Sequence, residues 1–190
     1  MYGPHIAALY VRSQSLRSSV SSLAHHFLKV DDKSYKLQGP SGPGYELTFS
    51  TTAVLEYLLS LTPTRSLADS FEAIATQEQA LVDRLLTFLL SQESRGVHIV
   101  GQSNIDTTRA PTISFVVHGD RPIASKAVVA AFDKKGGIGI RYGHFYAYTL
   151  VDELQPKLDV DDAVVRVSLV HYNTVEEVDR IIEILKEVLA

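Results

Sequence analysis

The spacing of apolar residues changes at Gly96, and this change constrains the fold more than any other feature of the 190-residue chain. Before Gly96 the apolar positions keep helical spacing, most clearly from Leu67 to Leu89. After Gly96, short apolar runs of strand length alternate with helical stretches; the runs cover residues 97–100, 112–117, 138–141 and 164–170. This alternation predicts an α/β fold.

Local signals predict further elements and their ends. Residues 5–11 (HIAALYV) form an apolar run that predicts a strand, and helical spacing predicts helices over residues 16–27 and 47–61. Gly136 follows a predicted helix over residues 123–135 and is placed to end it. Asn173 and Thr174 lie three residues before Glu176 and Glu177, respectively, and either pair has the spacing of a capping box that predicts the start of the last helix.

The composition excludes several classes of protein. With 45% apolar and 21% charged residues the chain is globular, and a net charge of -4 makes nucleic acid and anionic membranes unexpected partners. No apolar run is long enough to cross a bilayer and the start lacks signal-peptide features, so a cytoplasmic location is expected. The absence of cysteine excludes disulfides, thiolate metal sites and cysteine nucleophiles. The seven histidines show no metal-ligand spacing, and we expect no metal site.

Two arginines are the strongest candidates for binding. Arg166 lies in the middle of a predicted strand, where alternation places Val165 and Val167 on the opposite face. A guanidinium held there can grip a carboxylate with two hydrogen bonds, although spacing alone favours an ion pair with an internal Asp or Glu. Arg141 ends the preceding predicted strand and is followed by His144, at a strand end where functional residues are common.

Several motifs in order along the chain resemble the class V aminotransferase family. They are YGPHIAALY (2–10), PGYEL (43–47), PTISF (111–115), GIRYGHFYAYTL (139–150) and VRVSLVHYNTVEEVDRIIEIL (165–185). Within the family the cysteine desulfurase-like branch is the most similar. The members are fold type I enzymes that use pyridoxal phosphate, are usually homodimers and have about twice this length. The resemblance implies a carboxyl-terminal half, with residues 1–95 from the large cofactor-binding domain and residues 96–190 forming the small α/β domain.

The resemblance also implies roles for individual residues. Arg166 matches the arginine that clamps the substrate α-carboxylate, which reverses the preference drawn from spacing alone. Arg141 and His144 match positions that line the entrance of the active site. Ser41 and Gly42 match a loop that approaches the cofactor phosphate of the neighbouring subunit in family dimers. The implied ligands are therefore pyridoxal phosphate and an amino acid substrate.

Two departures from the family pattern bear on activity. Tyr146 stands where active desulfurases carry the cysteine that receives sulfur, so persulfide chemistry is not expected. The position of the family's Schiff-base lysine falls one residue before Met1, so we expect the 190 residues alone to be inactive. Lyase, epimerase and transaminase chemistry stay open.

Three hypotheses follow from the sequence. The first is that the 190 residues are part of a full pyridoxal-phosphate enzyme. The second is a short protein without catalysis that pairs with a full-length relative through the dimer surface. The third is a binding module that uses Arg141 and Arg166 to hold a small anion.

Overall fold

The computed structural model describes residues 5–21 and 44–190. The chain divides into two compact units, Met1–Ser70 and Phe71–Ala190. The predicted boundary at residue 95, which concerns the large and small domains of the family, stays a prediction.

The described part of the first unit is helical. Its helices are α1 (Ser13–Ser18), α2 (Tyr45–Ser50) and α3 (Thr52–Ser60), and the long helix α4 (Leu67–Ser91) begins at its end. The buried Ser70 hydroxyl donates to the carbonyl oxygen of Leu58 at 2.7 Å, which ties the start of α4 to α3. The Ser66 hydroxyl accepts from the Asp69 N–H at 3.4 Å, so the residue before α4 acts as its cap.

The predicted strand over residues 5–11 is wrong. These residues have no helix or strand, and Tyr10 is 85% exposed. A strand needs a neighbour for its N–H and C=O groups, and no strand of the described residues pairs with this segment. The predicted helix over residues 47–61 is two helices that meet at Thr51. Of the helix predicted over residues 16–27, α1 covers the beginning, and residues 22–27 lie outside the described residues.

The second unit contains a four-stranded antiparallel sheet. Its strands are β1 (Val97–Ile99), β2 (Thr112–Val117), β3 (Arg141–Gly143) and β4 (Val164–Ser168), in the spatial order β1-β2-β4-β3. The helices are the remainder of α4, then α5 (Ser125–Lys135), α6 (Tyr148–Glu153) and α7 (Val175–Leu189). A short 3-10 helix, Glu93–Arg95, precedes β1. The mixed helix and strand content confirms the predicted fold class.

The main core lies between one face of this sheet and the helices α4, α5 and α7. Phe115, Val165 and Val167 point from the sheet into it. Leu85 from α4, Phe132 from α5 and Leu185 from α7 are fully buried against them. Each such side chain contributes about 1.5–3 kcal/mol by leaving water. The core therefore fixes which residues of β2 and β4 face the opposite side.

The opposite face of the sheet is covered only in part. A smaller apolar cluster forms where α6 and the segment after it pack on the sheet, and its buried members are Val116, Val151, Leu158, Ala163 and Val164. Arg166 lies two residues after Val164 on β4 and so projects from this second face.

The turn into β1 requires a glycine. Gly96 has φ +96°, and a Cβ at this position would lie 1.6 Å from the carbonyl oxygen of His118. The His118 N–H donates to the Gly96 carbonyl at 2.7 Å, so the two backbones approach closely. This contact sets the beginning of β1 beside the end of β2.

Strand β3 begins later than the sequence predicts. The apolar run over residues 138–141 predicts a strand there, but β3 spans Arg141–Gly143. Gly136 and Gly137 both have positive φ and turn the chain after α5, and pairing with β4 begins only at Arg141. The prediction therefore placed a strand in the right part of the chain but gave it the wrong bounds.

Two features are absent from the described residues. No helix among them has both the length and the apolar content needed to cross a membrane. Residues 5–21 and 44–190 also contain no group of three or more His, Cys, Asp or Glu side chains that could hold a metal ion.

Candidate functional site

Two arginines stand opposite each other across the pairing of β3 and β4. Arg141 is the register partner of Arg166, and Ser114 of β2 is the partner of Arg166 on its other side. Directly opposite residues carry their Cβ atoms on one face, about 4.5–5.5 Å apart. Like charges in this arrangement repel each other, which raises the free energy of this face when no anion lies beside it.

The surroundings of Arg166 leave a hydrogen-bonding group unused. Its Nε atom is buried and has no hydrogen-bond partner among the residues that the structure describes. Within the same residues no Asp or Glu forms a salt bridge with Arg166. A buried donor without a partner costs about 1–3 kcal/mol, which is unusual for a native structure.

The aromatic ring of Phe145 covers the guanidinium of Arg166. The Cζ atom lies 3.7 Å from the ring centroid, which is a cation–π contact. Phe145 also packs on the apolar cluster that contains Val164, on the same face of the sheet. The guanidinium is therefore held between the sheet and an aromatic ring.

The loop after β3 carries His144 and two residues in the left-handed region. Phe145 has φ +50° and Tyr146 has φ +64°, conformations that bulky side chains rarely adopt. The Tyr146 N–H donates to Nδ1 of His144 at 3.2 Å, and the His144 ring meets Tyr148 edge-on at 5.6 Å. Tyr146 itself is fully exposed, at 100%. The hydrogen bond and the ring contact hold the imidazole in one orientation, with its Nδ1 used as an acceptor.

A surface depression brings Arg141 and His144 together. Its lining also includes two carboxylates, Asp133 and Asp161. The remaining lining residues are Val129, Ile140, Tyr142, Gly143, Phe145 and Tyr146. The depression therefore combines positive and negative side chains with aromatic rings. It lies beside the sheet face that carries Arg141 and Arg166, which we call the arginine face.

The structure brings together three of the residues singled out from the sequence. Arg141 and Arg166 share a sheet face, and His144 lies in the loop that leaves β3 beside them. Ser41 and Gly42 lie outside the described residues. Sequence reasoning missed Phe145, which lies within the motif between His144 and Tyr146. Its left-handed backbone, which directs the ring onto Arg166, leaves no signal in the sequence.

The described lysines lie away from the depression beside Arg141. Lys135 pairs with Glu187 at 2.6 Å and Lys157 pairs with Asp152 at 2.5 Å. No lysine of the described residues lines the depression beside Arg141. The buried Nε of Arg166 is a donor that a carboxylate can use, whereas the lining of this depression offers no lysine amine to form a Schiff base with the cofactor.

Comparison with known proteins identifies the family. The model of the family Aminotransferase class-V matches residues 1–181, and the chain belongs to this family. It is 39% identical over 190 residues to the aminotransferase-like protein FGM3 of Gibberella zeae. It is 30% identical over 191 residues to the cysteine desulfurase-like protein ustD of Aspergillus flavus. Both alignments cover the whole of this chain.

A solved structure shares the fold. The apo structure of a cysteine desulfurase from Thermococcus onnurineus NA1 superposes with a TM-score of 0.66 and 21% identity over 95% of this chain. The matches cover only 44% and 40% of the two fungal relatives and 42% of the archaeal chain. The 190 residues therefore span less than half the length of these proteins.

Proposed function

We propose that the 190 residues supply the substrate-carboxylate site of a pyridoxal-phosphate enzyme of the class V aminotransferase family that acts on an amino acid. The observation that carries the proposal is the pair Arg141 and Arg166 on one sheet face, with the buried Nε of Arg166 unused within the described residues. A carboxylate supplies the negative charge and the acceptor oxygens that this arrangement lacks.

The two arginines orient the substrate. The planar guanidinium of Arg166 offers parallel N–H groups that match the two oxygens of a carboxylate, and Arg141 adds a second positive charge beside it. A substrate held at its carboxylate has a fixed direction for its α-carbon, which reduces the entropy lost on reaching the reactive geometry. His144, whose Nδ1 accepts from the Tyr146 N–H, lines the same depression as Arg141.

The other parts of the proposal rest on the family motifs alone. Ser41 and Gly42 are proposed to approach the cofactor phosphate of a partner subunit in a homodimer. Tyr146 at the position of the sulfur-accepting cysteine argues against persulfide chemistry, because a phenol oxygen cannot form a persulfide. The lysine and the remainder of the cofactor site are proposed to come from residues outside the 190.

Binding of L-alanine to the 190-residue chain tests the carboxylate site. Saturation-transfer NMR gives the Kd for L-alanine and for alanine methyl ester, which keeps the ammonium group and loses the carboxylate. We expect the chain to bind L-alanine and not the ester. Arg166→Lys keeps the charge but loses the planar pair of N–H donors. The affinity of this variant for L-alanine should therefore fall by roughly ten- to a hundredfold.

Arg84→Lys is the matched control. Arg84 forms a bidentate pair with Asp179 on the exposed side of α4 and α7, away from the arginine face. This variant should bind L-alanine like the wild type. Equal binding of L-alanine and its ester would refute the proposal, and tighter binding of inorganic phosphate would favour a small-anion module instead.

A further inference from the structure

The contact between Phe145 and Arg166 is more specific than ordinary packing. The Cζ atom of Arg166 lies 3.7 Å from the ring centroid, so the ring covers one face of the guanidinium. Arg166 itself lies in β4, which pairs with β2 on one side and with β3 on the other. The backbone of Arg166 is therefore fixed by the sheet, while the plane of its guanidinium is restrained by Phe145.

Phe145 is itself held firmly. Its ring packs against the apolar cluster around Val116, Val151 and Val164. Its backbone has φ +50° and is followed by Tyr146 at φ +64°, so two consecutive residues adopt a conformation that costs energy for side chains of this size. The partial burial of the ring and its contact with the cation favour this conformation.

We propose that Phe145 is a positioning residue for the carboxylate site: its ring fixes the guanidinium plane of Arg166 before the substrate arrives. This inference rests on the proposed function. The ring occupies a face of the guanidinium, whereas a carboxylate is gripped at the edge, where the N–H groups point. Phe145 and the carboxylate therefore contact different parts of Arg166 and bind to it together. A fixed plane lowers the entropy lost on binding, which is how preorganisation raises affinity.

Phe145→Leu and Phe145→Tyr test this role. Leucine keeps an apolar side chain without a ring, and tyrosine restores the ring. We expect Phe145→Leu to weaken L-alanine binding by about three- to thirtyfold, the equivalent of losing one cation–π contact, and Phe145→Tyr to bind like the wild type. Phe71→Leu is the matched control, because Phe71 is half-exposed on α4.

Chemical modification gives a second measurement that does not depend on substrate. Phenylglyoxal reacts with accessible arginine side chains, and mass spectrometry reports the rate at each arginine separately. In the absence of ligand, Phe145→Leu should raise the rate at Arg166, while the rates at Arg84 and Arg95 stay unchanged. Unchanged rates at those two arginines also show that the variant has kept the fold. Phe145→Tyr should keep Arg166 protected.

The outcomes separate the two proposals. If the wild-type chain does not distinguish L-alanine from its methyl ester, the carboxylate site fails and the role of Phe145 fails with it. If the wild type binds L-alanine and Phe145→Leu binds it as tightly, only the positioning role is overturned. The positioning role is also overturned if Phe145→Leu leaves the modification rate at Arg166 unchanged, or if Phe145→Tyr loses the affinity.

Discussion

The position of Arg166, where we propose that it binds a carboxylate, is unfavourable for the folding free energy of the chain. Its buried Nε has no acceptor among the described residues, and Arg141 stands opposite it with the same charge. The contact with Phe145 offsets part of this cost. The side chain is thus placed at the expense of folding free energy, as is common for binding residues.

Arg166→Met should therefore keep or raise the free energy of unfolding, by up to about 1 kcal/mol, because it removes an unsatisfied donor and a like-charge contact. Urea denaturation measures this. Arg95→Met is the control: Arg95 donates to the carbonyl oxygens of Leu189 at 2.5 Å and of Arg121 at 2.8 Å, so its loss should cost about 1–3 kcal/mol. A large destabilisation by Arg166→Met would instead indicate a structural ion pair.

Gly96→Ala should destabilise the chain by at least about 1–3 kcal/mol. The new Cβ would meet the carbonyl oxygen of His118 and would also have to adopt φ +96°. Gly101→Ala separates the two effects, because Gly101 has φ +113° and nothing within 4 Å of the added Cβ. Thermal unfolding of both variants should show a lower Tm for Gly96→Ala, and equal values would argue against the close backbone approach.

Helix α7 begins with a capping box that makes its stability depend on pH. The Thr174 hydroxyl accepts from the Glu177 N–H at 3.2 Å, and a carboxylate oxygen of Glu177 accepts from the Thr174 N–H at 2.9 Å. The side chain of Asn173 donates to the same carboxylate, and this bond, followed by the Thr174 backbone, lowers the pKa of Glu177 below its ordinary value of 4.5. The ionised form is therefore favoured in the folded state.

A lowered pKa in the folded state contributes stability above pH 4.5, and this contribution is lost as pH falls through the lowered pKa. Glu177→Gln should thus be less stable than the wild type at neutral pH, and the difference should shrink as the solution is acidified below that value. Denaturation at a series of pH values gives the difference directly. Glu183→Gln, in the middle of α7, is the control for removing a carboxylate that lies outside the capping box.

Elements with local signals were predictable from the sequence, and those that depend on distant pairing were not. Strand β2 has the bounds of its apolar run, and α5 ends at Lys135, directly before Gly136. Helix α7 begins after Thr174, one of the two predicted capping residues. The strand over residues 5–11 and the start of β3 failed because a strand exists only where another strand pairs with it.

The same limit applies to the candidate site. Alternation in β4 was enough to place Arg166 away from the core. The sequence could not place Arg141 opposite it, because that register depends on how β3 pairs with β4. Nor could it find the contact with Phe145, which depends on a left-handed backbone at an aromatic residue.

At the scale of the whole chain, the first unit leaves many large apolar side chains in contact with water. Among the described residues of this unit, Leu58 is the one large apolar side chain that is buried. The exposed ones are Ile6, Leu9, Tyr10, Tyr45, Leu47, Phe49, Leu55, Tyr57 and Leu67. Exposed apolar side chains in this number favour association.

We therefore expect the 190-residue chain to form oligomers or aggregates, as measured by analytical ultracentrifugation. The double variant Tyr45→Lys with Phe49→Lys should shift the distribution towards monomer, because both residues lie exposed on α2. Tyr172→Lys, on the second unit, is the control and should leave it unchanged. A monomeric wild type with one cooperative unfolding transition would contradict this expectation.

The chain should also fail to retain pyridoxal phosphate. The described lysines are Lys126, Lys134, Lys135, Lys157 and Lys186, and none lines the depression beside the arginines. After incubation with the cofactor, borohydride reduction and gel filtration, mass spectrometry should find no stoichiometric label on any lysine. Complete labelling of a single lysine would show that the 190 residues hold the cofactor unaided.

Strand β4 lies between β2 and β3, and its position there has a consequence for folding fidelity. A shift of β4 by one residue would turn Arg166 into the core and expel Val165 and Val167. Burying a charge among Phe115 and Phe132 is far more costly than any gain from the altered pairing. Molecules with this misalignment are therefore unstable and unfold again. Every chain that completes the sheet presents Arg166 on the face opposite the core.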